Sequence, residues 1–364
     1  MNILSSLLTA LIFLPVMVLL AAMPYLTRET ISFGVTVSED NYRSEPLRRM
    51  RRSYSLISGI IYAVLFILCI VGLLNNNSSN QNGIIVAYVV ITILVSMTMN
   101  ITHYFKMKKL LPSLPSTPSP SILAVDTGFR QGKLVFSNKW FLIHVPIILV
   151  GLIAILVRYD QIPNVIPMKF DFAGNVVNSA AKSYQTVLFP TILQIFVTLL
   201  FMLLNWSIRS SKQQIHPDDP QRSIRQNAAF RRSWSLFTVL SGLALVLLFS
   251  LIQFNMLGQV GPNSLILISL LVPILIVLFA IVISFRTGQG GSRIERPASG
   301  SKLEPVNNDR NWKLGAIYFN RNDPTLFVEK RFGIGWTLNL GHPLCWFILL
   351  GIFGFIALTY VFAK

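Results

Sequence analysis

Charge is the first thing this sequence lacks. Only 12% of its residues are Asp, Glu, Lys or Arg, where a soluble domain carries ~25%, and that deficit excludes an ordinary water-soluble globule. Acid is scarcer still, with 14 Asp and Glu against 31 Lys and Arg and a formal net charge of +17. Cysteine occurs twice, at Cys69 and Cys345, both inside or at the edge of apolar stretches. Two isolated thiols rule out a disulfide framework and a cysteine zinc site, which leaves small apolar packing as their role. Also absent are His-Glu-x-x-His, Gly-x-Ser-x-Gly, a Walker loop and Gly-x-Gly-x-x-Gly. Without a catalytic constellation the chain is expected not to be an enzyme, and no cofactor or metal is expected.

What is present is hydrophobicity, 53% of residues with a mean hydropathy of +0.60. Eight runs, 3–23, 55–74, 84–105, 140–157, 186–206, 234–258, 264–285 and 343–362, contain no Asp, Glu, Lys or Arg. Runs of this length cross a ~30 Å hydrocarbon core as helices, because a lone strand in lipid would leave its backbone groups unpaired. The first run lacks the basic leader of a cleaved signal peptide and is read as a span.

The connections 24–54, 106–139, 207–233 and 286–342 hold 27 of the 31 Lys and Arg. The alternate side holds Arg158, Lys169, Lys182 and Lys364, and the turns 75–83 and 259–263 carry no charge. By the positive-inside rule the basic connections are cytoplasmic and both termini are extracytoplasmic. Confined to short loops, these cations read as topology signals and contacts to anionic lipid rather than as a direct nucleic-acid site.

The expected fold is therefore an all-α polytopic membrane protein of about eight helices, arranged as two four-helix halves, with a small cytoplasmic β-hairpin-containing module. Arg51-Arg52-Ser53-Tyr54-Ser55-Leu56 and Arg231-Arg232-Ser233-Trp234-Ser235-Leu236 stand 180 residues apart, an offset shared by the third and seventh runs. With four crossings per half, such repeats are related by an axis along the membrane normal. The chain divides into 1–157 (first half), 158–185 (extracytoplasmic connector), 186–286 (helices five to seven), 287–310 (flexible linker), 311–342 (aromatic-rich module) and 343–364 (eighth helix). Leu111–Pro120 is a proline-rich spacer. In the module, 314–319 and 325–328 are expected to pair as one hairpin across Asn320–Pro324. Its aromatics, Trp312, Tyr318, Phe319, Phe327, Phe332 and Trp336, exceed what 33 residues can bury, so it should lie against the bilayer interface or the helix bundle.

The intramembrane polar residues Asn100, Gln194, Asn205, Gln253 and Asn255 are neutral, as suits helix–helix hydrogen bonds or the lining of a polar path. His103, His144, His216 and His342 fit no zinc spacing. Asp160 and Asp171 could cap turns, or bind a cation or a cationic peptide.

The connector Ile162-Pro163, Ile166-Pro167-x-x-Phe170-Asp171-x-x-Gly174, with Lys182 beyond, resembles the signature of SdpI-like bacterial membrane proteins over about residues 145–200. Lys169 stands where many members carry His. Residues 311–343, opening Asn-Trp-Lys-x-Gly-x-x-Tyr-Phe-Asn, resemble an uncharacterised C-terminal module that accompanies such domains. The resemblance implies a multipass protein of the bacterial plasma membrane, concerned with envelope stress, toxin immunity or signalling, that couples an outer loop to a cytoplasmic partner. That partner would be a transcriptional regulator, and the outer signal an extracellular peptide. Pro163, Pro167, Lys169, Phe170, Asp171, Gly174 and Asn175 would form the outer site, and Trp312, Tyr318, Asn320, Gly333 and Gly335 the inner one. The alternative is a facilitator or permease component for a small solute.

Overall fold

The structure, a computed structural model, describes residues 12–75, 78–115, 134–170, 175–212, 215, 219–258, 260–295 and 308–362. Its frame is a set of helices: α1 (Leu14–Ala21), α2 (Glu45–Asn75), α3 (Ser78–Leu110), α4 (His144–Val157, led in by the 3-10 turn Asn138–Ile143), α5 (Tyr184–Ser210), α6 (Pro220–Asn255), α7 (Pro262–Thr287) and α8 (Pro343–Phe362). The helix starts follow local chemistry. Ser183 accepts from the Thr186 N–H and Asp219 from the Arg222 N–H, each capping an orphan donor. Gly288, at φ +62°, ends α7.

Six of these, α2 to α7 with their flanking turns, are long and apolar enough to cross a membrane. The chain is thus a multipass membrane protein, and the expected eight spans reduce to six among the described residues. The first run is described only from residue 12, and its helix gives way at Ala22 to the separate turn Met23–Leu26, which contains Pro24. In α8 the apolar stretch Pro343–Leu358 is shorter than the six.

Four separate antiparallel hairpins decorate the helix ends: β1 (Ile31–Ser32) with β2 (Val35–Thr36), β3 (Val165–Phe170) with β4 (Val176–Ala181), β5 (Trp312–Lys313) with β6 (Ile317–Tyr318), and β7 (Phe327–Glu329) with β8 (Trp336–Leu338). The second of these sits where α4 ends and α5 begins, which we call the hairpin end. The other three gather at the opposite, basic end.

In the module the expected single hairpin is replaced by two. Leu314 and Gly315, at φ +53° and +69°, turn the chain at once, so that β6 folds back on β5 and not on β7. The Asn339 side chain then holds the intervening connection open. Its amide nitrogen donates to the carbonyls of Asn320, Asp323 and Thr325, and its oxygen accepts from the N–H groups of Asn320 and Gly341.

The start of the expected flexible linker is anchored. Gln289, Gly290 and Gly291 are buried, and the Glu295 carbonyl accepts from Arg222 and Gln226. Residues 296–307 lie outside the described residues, as do 116–120 of the proline-rich spacer.

The module seats on the bundle through a meeting of two glycine turns. Phe33 and Gly34, at φ +47° and +82°, form the β1–β2 turn, whose backbone lies directly on Gly315. A Cβ on Gly34 would stand 2.4 Å from the Gly315 Cα. Beside this contact Phe33 stacks on Phe332 at 5.5 Å, within a cluster that includes Val35, Tyr42, Leu47, Tyr54 and Met107. Gly34→Ala therefore meets both a left-handed backbone and an overlap, and should cost at least about 2 kcal/mol. Gly59→Ala, where a methyl meets open space, should leave stability unchanged. Thermal melting of the detergent-solubilised protein separates the two variants.

Candidate functional site

The hairpin end is built on an isoleucine face. Ile162 and Ile166 are buried and pack with Ile155 of α4, Val187 of α5 and Met256 of α6. Lys182 fixes the base of the hairpin: its ammonium donates to the Ile162 carbonyl and lies 4.6 Å from the centre of the Tyr159 ring, which stacks on Tyr184. A register shift between Pro167 and Lys169 bends β3, as expected where a proline removes a ladder donor.

This bend roofs a cavity of about 370 Å³. Pro167, Met168 and Phe170 cover it. Its walls are Phe189, Pro190 and Leu193 of α5, Phe249, Ile252, Asn255 and Met256 of α6, and Leu265, Ile266, Ser269 and Leu270 of α7. The volume is that of a small-molecule site. Of the expected outer-site residues, Pro167 and Phe170 thus line a common space. Pro163 and Asn175 are exposed beside it, and Lys169 pairs with Asn178 in the ladder. Asp171 and Gly174 lie outside the described residues, and Asp160 is exposed on the turn Tyr159–Gln161.

From the cavity a line of buried polar side chains runs between α5 and α6 towards the basic end. Gln253 donates to Thr191; Gln194 donates to Ser250 and to the Val246 carbonyl. Thr198 donates to the Gln194 carbonyl and so accepts from His144 Nδ1 at 3.0 Å. Asn205 donates to Asn138 and to the Phe136 carbonyl, and accepts from Ser235. In the other half, Asn100 accepts from Tyr54 at 2.7 Å. Asn255 alone of the five amides borders the cavity.

At the basic end the module grips the same two helices. Glu329 of β7, with 1% of its side chain exposed, lies 2.5 Å from Arg28 and 3.8 Å from Arg231 of α6. Arg231 also donates to the carbonyls of Ile208 and Ser211, closing the end of α5. Two residues past that helix end, the Lys212 backbone N–H donates to the Phe327 carbonyl and its ammonium to Asp323 at 2.7 Å. Burial would raise the Asp323 carboxyl, but hydrogen bonds from Lys212, Thr325 and Tyr318 outweigh it and hold the group at about 2. The Tyr318 hydroxyl is pushed up to about 12 by burial and by its bond to Asp323.

The expected inner-site residues hold this module together. Trp312 and Tyr318 are buried against Val328, and Asn320 takes part in the Asn339 network. The Gly333 N–H donates to Thr27. Gly335 exchanges two hydrogen bonds with the Gln289 amide. Arg28 and Glu329 were not singled out by sequence reasoning, and Arg231 only as part of the repeat, although an acid inside the apolar run Phe327-Val328-Glu329 is a signal of a buried counter-ion. Among the described residues no group of three His, Cys, Asp or Glu is arranged for a metal ion. His103 stacks on Phe33, His144 meets Thr198, and His342 caps the start of α8 through Leu344 N–H; His216 lies outside the described residues.

Taken together, the spans, the roofed cavity and the docked module define a multipass membrane protein with two specialised ends. Residues 146–193, from α4 through the hairpin into α5, match a family described as a domain of unknown function (DUF1648). Residues 321–346, the latter part of the module, match a family of unknown function (DUF5808). No curated protein and no solved structure matches the chain.

Two measurements test the latch. Glu329→Gln leaves two buried guanidinium groups facing no charge and should destabilise the docked module by about 3–5 kcal/mol, read by denaturant unfolding in detergent. For Asp323, a carboxyl held low in the folded state stabilises docking fully above about pH 4 and releases that stability as pH falls towards about 2. Hydrogen exchange at 323–329, corrected for intrinsic rates, should stay slow from pH 7 to 4; loss of protection near pH 5 would contradict the assignment.

Proposed function

We propose that this protein is a non-enzymatic plasma-membrane sensor of the SdpI-like type, in which an agent acting at the hairpin end changes what the module offers to a cytoplasmic partner. One observation carries the reading: α5 and α6 wall the cavity at one end and are the helices gripped by the module at the other. A shift of one against the other is felt at both places, as a two-state switch requires. The line of side chains between them suits such a shift. Gln194 Oε1, Gln253 Oε1 and His144 Nε2 are buried acceptors without a donor, so alternative pairings are within reach.

An extracellular membrane-active peptide is the outer signal we favour. The inner partner, a transcriptional regulator, would meet the exposed side of β5–β6, where Leu314, Ile317 and Phe319 are 39%, 41% and 38% exposed. A permease has weaker support. Gln194, Asn205 and Asn100 spend hydrogen bonds within the bundle, and the cavity is apolar and confined to one end.

Phe170→Ala opens the cavity roof and, at equal protein level, should sensitise cells to membrane-active peptides and alter expression of neighbouring genes. Unchanged survival and unchanged expression would remove the sensor reading. The orientation it needs is checked with single cysteines in a background lacking the native two. Asn175→Cys should react with an impermeant thiol reagent in intact cells, and Lys313→Cys only after lysis.

A further inference from the structure

The lining chemistry of the cavity narrows its ligand. None of the fourteen lining residues carries a charge: Asn255 and Ser269 supply the polar side chains, and the other twelve are aliphatic, aromatic, Met or Pro. Pro273 adds a third polar feature, because it lies four residues after Ser269 within α7. A proline has no N–H to give the carbonyl one turn back. Ser269 therefore presents both a hydroxyl and a carbonyl lacking its helical donor, opposite the Asn255 amide. Pro190 on the facing wall does the same to the Thr186 carbonyl in α5, one turn nearer the hairpin. An apolar space of this size in contact with hydrocarbon takes up an apolar guest in preference to water, and hydrogen-bonding groups at one edge orient it.

We infer that the cavity binds a single-chain, uncharged amphiphile: the hydrocarbon chain fills the space beneath Pro167, Met168 and Phe170, and a hydroxyl or amide end meets Asn255 and Ser269. This rests on the sensor reading of the same site and adds to the peptide a second, smaller signal seated beneath the hairpin. A charged head group has no counter-ion among the lining residues, and burying one unpaired is strongly unfavourable. The ligand's own donor is what the site selects, since a pocket with unpaired acceptors discriminates against a guest that leaves them unmet.

The test uses the full chain in nanodiscs and a long-chain primary alcohol carrying a diazirine on its chain. Photolabelling should fall on the peptides containing 249–256 and 265–270. Leu193→Trp, which fills the space, should cut labelling roughly tenfold, the scale of misfit in an apolar pocket. Ile195→Trp, at a position 47% exposed on the outside of α5, should not. Asn255→Leu should weaken labelling by the alcohol and leave labelling by the chain-matched hydrocarbon unchanged. Where Leu193→Trp misfolds, Ile252→Phe closes the same space.

Labelling that spreads over all lipid-facing helices and ignores these variants would overturn the assignment. So would labelling from a diazirine-bearing phospholipid that the alcohol fails to displace, since the cavity would then seat bulk lipid. The sensor reading is scored apart. Specific labelling with no change in hydrogen exchange at 323–329 keeps the ligand and removes the coupling. Failed labelling with Phe170→Ala still altering survival does the reverse.

Discussion

A carboxylate closed off from water costs several kcal/mol unless charge and hydrogen bonds meet it, and Glu329 is such a group. Arg28 reaches it from the segment after α1, and Arg231 from the first third of α6. These three residues lie far apart in the sequence, so their meeting fixes the module, the β1–β2 hairpin and α6 in one arrangement. The surrounding packing serves that arrangement. Gly290 leaves room for the Arg28 guanidinium, which a Cβ there would meet at 1.9 Å, and Gly291 lets the chain lie on the Gln226 carbonyl. Arg331 secures the other flank, donating to the Gly34 carbonyl and pairing with Asp309, while its guanidinium lies over Trp312.

The two arginines of the 180-residue offset are placed alike, which gives the repeat a structural meaning. Arg51 is buried and donates to the Tyr42 carbonyl, just before α2; Arg231 is buried and donates to carbonyls at the end of α5, before α6. The following serines also correspond. Ser55 donates to the Ala21 carbonyl of α1, and Ser235 to Asn205 of α5. At the starts of α2 and α6 alike, a guanidinium and a hydroxyl thus satisfy backbone or amide acceptors of the preceding segment. Among the described residues the second copy adds an acidic partner, because the module delivers Glu329 there.

Much of this frame was legible in the sequence, because spans and basic loops are local patterns of hydropathy and charge. The aromatic excess of 311–343 correctly implied a surface to lean on, and that surface is the bundle. Strand pairing in the module was not legible: it depends on a left-handed Leu314 and on one asparagine, Asn339, that bonds five backbone groups from outside the strands. The glycine-rich start of 287–310 read as slack chain for a related reason. Gly288, Gly290 and Gly291 have positive φ, and composition does not distinguish glycines that loosen a chain from glycines that admit a close neighbour. The cavity and the ion cluster are assembled from segments tens to hundreds of residues apart, which no window of sequence reveals. Pro167 and Phe170, conspicuous in a short polar connector against lipid-soluble surroundings, line that cavity, but their spacing alone does not say that a cavity lies beneath them.

The energies of the two ends are matched in a way that bears on coupling. A ligand shifts a conformational equilibrium only by the difference in its affinity for the two states. A guest of about 15 heavy atoms at ~0.3 kcal/mol per atom gains ~4–5 kcal/mol, and only the part lost in the alternative packing is available to drive change. The buried latch, at about 3–5 kcal/mol for its central charge, is of the same size. On the proposed sensor reading, occupancy of the cavity would bias the module without tearing it from the bundle. α5 is the element able to carry the bias. Pro190 near its start allows the cavity wall to bend, and its far end is closed by Arg231 and followed two residues on by Lys212, both tied to the module. On that reading a tilt of this helix would move Lys212 against Asp323 and, through the carbonyls that Arg231 holds, Arg231 against Glu329.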